Sequence, residues 1–130
     1  MKVRWTAGSV RFRITPAELK ILEHGERAAM ALHVPGGAWE AVIVPAAGEA
    51  TAITLTGGAL TLSLCAADLA RLSDPETEGV YFVTDTEPRL RYFIEKDFPC
   101  VHTRPEGAAE PDAGTFDPPQ GFAERHKSPE

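Results

Sequence analysis

The sequence predicts an α+β protein of eight mostly antiparallel strands, in one sheet or barrel or in two packed halves, with two short helices. Three observations predict it. The punctuation of the chain recurs at an offset of fifty residues, its apolar residues alternate with period two around glycine turns, and each half carries one helix start.

Shifted by fifty, Val10 to Leu22 falls on Leu60 to Leu72, and the turn Thr6-Ala-Gly-Ser9 falls on Thr56-Gly-Gly-Ala59. Identities are few: Thr6/Thr56, Gly8/Gly58, Ala17/Ala67, Leu19/Leu69, Leu22/Leu72 and Glu26/Glu76. Turn, cap and alternation nevertheless recur together, which reads as an internal duplication of ββαββ units over residues 1–45 and 51–95.

The elements follow in order. Lys2 to Thr6 alternates, Val3 and Trp5 on one side and Lys2 and Arg4 on the other. Ala7-Gly8 turns the chain, and Ser9 to Ile14 alternates again, so the first two strands form a hairpin with one wet and one dry face. Thr15-Pro16-Ala17-Glu18 supplies an N-cap, a proline at the first helical position and a glutamate at the third. Leu19 and Leu22 line the short helix that follows, and Gly25 ends it. Strands are expected over Glu26 to Val34 and Ala38 to Val44, with Pro45 closing the first half. The second half replays this order: strands Thr51 to Thr56 and Ala59 to Leu64, a helix over Ala66 to Leu72, then strands Gly79 to Thr84 and Arg89 to Glu95. Asp68 stands where Glu18 stood, and Cys65 where Thr15 stood.

These elements make a single domain over residues 1–103. Residues 104–130 carry five prolines among glycine, alanine and acids, the composition of an extended C-terminal arm whose only large apolar anchors are Phe116 and Phe122. The net charge of -6 argues against generic binding to nucleic acid or to an anionic membrane. No apolar run spans a bilayer, and two cysteines make no disulfide framework, so a cytoplasmic protein with free thiols is expected.

One surface stands out. Lys2, Arg4, Arg11 and Arg13 project from the same face of the first hairpin, because alternate strand residues share a side. Arg89 and Arg91 alternate in the same way on the last strand, and pairing of that strand with the first would gather all six cations. The second hairpin has Thr54, Thr61 and Ser63 at matching places. The cations suit an anionic small molecule or an acidic protein partner, or else a solvated face paired with Glu40 or Glu95.

Weaker chemistry lies elsewhere. Asp97, Cys100 and His102 offer three metal-ligand types within six residues, without the paired spacing of a closed zinc site, and no metal or cofactor is expected there. Cys65 begins a helix, a setting that can activate a thiol, but its apolar neighbours favour a buried structural one. Neither His24 nor His33 suggests a catalytic triad, and no nucleophile elbow or phosphate loop is present. The Glu-x-Glu-x-Lys signature of the adenylate cyclase and thiamine triphosphatase superfamily is absent too.

From the second strand onward the order strand, helix and three strands is similar to the repeated half of a sliding-clamp domain. That likeness is one of topology, since the helices carry Glu18, Lys20, Glu23, Asp68 and Arg71 and not a DNA-facing basic surface. The opening Met1-Lys-Val-Arg, with Gly8-Ser-Val-Arg-Phe-Arg-Ile-Thr and Glu18, resembles the start of a small bacterial family of uncharacterised proteins. Ile94-Glu-Lys-Asp-Phe-Pro-Cys100 resembles that family's close. The resemblance implies a bacterial, cytoplasmic protein without an established activity, and directs attention to Arg4, Arg11, Arg13 and the Glu95 to Cys100 segment. Three functions remain: a non-enzymatic binding protein using the basic face, a small enzyme clamping an anionic phosphorylated substrate in a barrel mouth with Glu95 or Asp97 opposite, or an inhibitor or regulator whose arm over residues 104–130 docks on a partner.

Overall fold

Alternation and capping produce the expected elements almost residue for residue in a computed structural model that describes residues 1–98. Met1–Asp97 forms one unit. Its strands are β1 (Lys2–Thr6), β2 (Ser9–Ile14), β3 (Ala28–Val34), β4 (Gly37–Ala46), β5 (Ala52–Thr56), β6 (Ala59–Cys65), β7 (Gly79–Val83) and β8 (Arg91–Lys96). Helix α1 (Pro16–Glu23) follows β2, and α2 (Ala66–Ser73) follows β6.

The strands form two open, mixed sheets and neither a single antiparallel sheet nor a barrel. Their orders are β1-β2-β8-β7 and β3-β4-β6-β5. Hairpin pairs are antiparallel, but the two central pairs, β2 with β8 and β4 with β6, are parallel. The last strand therefore lies beside β2, not beside β1. Each half of the chain gives its first hairpin to one sheet and its second to the other. The registers of the two sheets match, Ser9 opposite Arg91 in the first and Ala59 opposite Glu40 in the second.

Period-two geometry sends Val10, Phe12 and Ile14 of β2 inward with Tyr92 and Ile94 of β8. They share one buried cluster with Ala41, Ile43, Leu62 and Leu64 from the other sheet and with Leu22 and Leu72 from the helices. This is a two-layer sandwich. The Tyr92 hydroxyl crosses it to donate to the Thr51 carbonyl at 3.2 Å. Both helices start where the inner strands β2 and β6 end, and they touch one another, the Ser73 hydroxyl donating to Glu23 Oε2 at 2.7 Å. They close one end of the sandwich and leave the other without a helix.

Two strand ends differ from expectation. Pro45 sits inside β4, which continues to Ala46. The partner β3 begins at Ala28, opposite Ile43, so beyond Ile43 nothing on that side asks for the missing N–H. Arg89 lies before β8, in the loop after β7, where its Nε donates to Glu87 at 3.1 Å and its Nη1 donates to the Thr84 carbonyl at 3.4 Å.

The helix starts use two chemistries. Thr15 and Glu18 form the expected capping box, each side chain accepting from the other residue's backbone N–H. Cys65 cannot act as Thr15 does and makes no side-chain cap. Its N–H instead donates to Thr51 Oγ1 at 3.1 Å, whose hydroxyl donates to Asp68 Oδ2 at 2.6 Å, while the buried Cys65 thiol donates to the same oxygen at 3.1 Å. Burial pushes the Asp68 carboxyl up, but the Thr51 and Cys65 hydrogen bonds and the nearby Arg71 more than reverse this. It titrates below its ordinary value of 3.8.

Two outcomes are expected. Ile94→Ala, which empties a wholly buried site between both neighbours of β8, should cost about 2–5 kcal/mol in urea unfolding. A carboxylate whose folded pKa is depressed stabilises the fold above its unfolded pKa and loses that contribution as pH falls through the folded one. Asp68→Asn should therefore lower stability at neutral pH and leave a shallower loss below pH 3.8 than the native chain shows.

Candidate functional site

The outer face of the first sheet carries the cations. Antiparallel register sets Lys2 directly opposite Arg13 and Arg4 opposite Arg11, and the parallel register continues each row onto β8 as Glu95 and Phe93. A third row holds Thr6, Ser9 and Arg91. Five of the six expected basic residues thus share one face, and Arg89 does not. Beta-strand 7 completes the rows with Gly79, Tyr81 and Val83.

Two carboxylates enter this face. Glu95 Oε1 lies 3.1 Å from Arg11 Nε, and Asp97 Oδ2 lies 3.6 Å from Lys2 Nζ. The Arg11 contact is an ion pair by distance only. Its N–H is not aligned on the carboxylate, and the buried Nε has no hydrogen-bond partner among the described residues. Glu95 also accepts from the Tyr81 hydroxyl at 3.0 Å. Burial and that carboxylate together raise the Tyr81 pKa above its ordinary value. Among the described residues neither Arg4 nor Arg13 forms an ion pair, and Glu40 pairs with Arg27 instead of with this face.

Aromatic rings adjoin the cations. The Arg11 and Arg91 guanidinium carbons lie 5.8 Å and 6.0 Å from the centre of the Phe93 ring, within cation–π range. Tyr81 packs against Phe93 with ring centres 5.3 Å apart. At the other edge Lys2, Arg4, Arg11 and Arg13, with Val3, surround a shallow depression of about 170 Å³.

On the equivalent face of the second sheet both facing cation pairs give way to neutral residues, and Glu40 holds the place of Arg91. Thr54 lies opposite Thr61 where Arg4 lies opposite Arg11, and Ala52 lies opposite Ser63 where Lys2 lies opposite Arg13. The same strand geometry therefore forms without cations.

A second concavity, unexpected from the sequence, lies at the end of the sandwich away from the helices. It holds about 450 Å³ between the inner faces of the two sheets and is lined by Trp5, Val10, Leu32, Trp39, Leu55, Leu60 and Leu90, with Thr6 and Ser9. Alternation put Trp5 on the dry face of its strand. That it remains 69% exposed could not be read from the pattern, because the separation of the two sheets at that end is a tertiary property.

No barrel mouth exists, so the carboxylates Glu95 and Asp97 face no enclosed substrate chamber and instead pair with Arg11 and Lys2 on an open sheet face. Asp97 belongs to the described residues, whereas Cys100, His102 and the arm over 104–130 lie outside them. Among the described residues no group of three His, Cys, Asp or Glu side chains could hold a metal ion, and no helix is long and apolar enough to cross a membrane.

Comparison with curated proteins finds no match, and comparison with solved structures finds none. A family model does match. Described as a family of unknown function (DUF7009), it covers residues 1–120, including both sheets and both helices, and the chain belongs to that family.

Proposed function

We propose that the protein is a non-enzymatic binding protein whose basic face, formed by Lys2, Arg4, Arg11, Arg13 and Arg91, holds an anionic small molecule or an acidic segment of a protein partner. One observation carries this reading. Like charges set directly opposite on a ladder repel, yet Arg4–Arg11 and Lys2–Arg13 face one another where the second sheet has Thr54–Thr61 and Ala52–Ser63. The fold does not require those cations, and the two carboxylates nearby balance only part of their charge. A bound anion offsets the repulsion and engages Arg4 and Arg13.

The depression at Lys2, Arg4, Arg11 and Arg13 suits a single phosphate or carboxylate group. Phe93 and the exposed Tyr81 ring nearby favour an anion that also carries a flat ring, as a nucleotide does. We read the two halves as an internal duplication that has diverged at this face, in a bacterial, cytoplasmic chain with Cys65 as a free thiol.

Calorimetric titration with inorganic phosphate, ADP and a short glutamate-rich peptide tests the proposal. At least one should bind with an affinity that falls as salt rises. Arg4→Ser and Arg13→Ser should each weaken that ligand about tenfold or more while leaving the melting temperature nearly unchanged. Binding unaltered by both substitutions, or no binding by any of the three, contradicts it.

A further inference from the structure

The open end of the sandwich is a second site, independent of the basic face. Its walls come in equivalent pairs from the two halves. Trp5 is the penultimate residue of β1 as Leu55 is of β5. Val10 lies opposite Trp5, and Leu60 opposite Leu55, in the matching hairpins. Trp39 and Leu90 immediately precede the matched register positions Glu40 and Arg91. The cleft thus lies where the halves meet, and each contributes apolar residues at these three matched places, with Leu32 added from the first half alone.

Core formation accounts for part of that lining, since Val10 is buried in the core and Trp39, Leu60 and Leu90 pack against it, but not for Trp5, Leu32 and Leu55. Trp5 and Leu55 remain 69% and 67% exposed, and Leu32 remains 58% exposed, although all three point to the inner side of their sheets. Large side chains held open at equivalent places in both halves form a concave apolar surface, which marks a binding site more often than a packing fault. The volume of about 450 Å³ lies within the range of small-ligand pockets, roughly 300–1,000 Å³.

The lining also sets the chemistry of the occupant. Among the described residues no charged side chain borders the cleft, so an ionised group placed inside would lose its hydration without a counter-charge from them. Thr6 and Ser9 border it only from the outer row that they share with Arg91, where their hydroxyls hydrogen-bond to one another at 2.9 Å. We infer that the cleft between the two sheets binds a neutral, largely apolar small molecule, its body between Trp5, Trp39, Leu55 and Leu60.

The chain contains two tryptophans, and both line this cleft. Intrinsic fluorescence therefore reports directly on its occupancy. Titration of the full chain with the neutral probe N-phenyl-1-naphthylamine should saturate at one probe per chain, quenching tryptophan emission as probe emission rises. Leu55→Asp and Leu32→Glu alter exposed side chains and should weaken the probe about tenfold or more, with unchanged melting temperatures. Thr54→Asp adds the same charge one residue away on the outer face and should leave binding intact.

Probe binding that does not saturate, or that Leu55→Asp leaves unchanged, overturns the assignment. So does sedimentation showing that the chain self-associates and that Leu55→Asp makes it monomeric, because a second copy is then what covers the cleft. Loss of phosphate, ADP and peptide binding in the arginine variants bears only on the basic face, so the two proposals fail separately.

Discussion

Each half of the chain completes its sheet with strands from the other, and the rest of the structure depends on that exchange. The parallel pairs β2·β8 and β4·β6 join strands far apart in sequence, so neither half owns a complete sheet. The core is shared in the same way: Phe12 and Ile14 from the first half pack in one cluster with Leu62, Leu64 and Ile94 from the second. Because β2 and β6 lead into helices that touch each other, both helices gather at one end. At the other end no described residue covers the apolar side chains. The closed end, the open end and the two outer faces all follow from which strands are exchanged.

The two outer faces then diverge on a common geometry. One presents facing cations with a carboxylate and two aromatic rings beside them, and the other presents threonine, serine and alanine at the same register. Exposed strand positions impose little on packing, so their composition is free to follow chemistry outside the fold. The cleft shows the opposite relation, since Trp5 and Leu55 stand at equivalent places in the two halves and are both large and apolar although both remain exposed. Similarity between the halves is thus a guide to folding only at positions that are buried.

Local signals carried most of the fold. Glycine turns, the Thr15-Pro16-Ala17-Glu18 cap and period-two alternation place the hairpins and helices within a residue or two, because each depends on neighbours close in sequence. Strand pairing between the halves was not legible: nothing local in Arg91 to Lys96 distinguishes a place beside β1 from one beside β2. Pro45 was read as a terminator because its tolerance depends on where the partner strand β3 begins. The basic face was visible in the alternation of Lys2, Arg4, Arg11 and Arg13, while Arg89 was misplaced because its strand starts two residues later. The cleft was hidden altogether, since inward-facing tryptophan and leucine look the same in sequence whether or not the opposite sheet reaches them.

Native-state hydrogen exchange across a denaturant series tests the exchanged-strand architecture most directly. If the halves are interlocked through β2·β8 and β4·β6, the slowest amides of all four central strands should merge into a single unfolding event with one free energy. Protection that persists in residues 1–46 after residues 51–96 have exchanged, or in one sheet after the other has opened, would contradict that account.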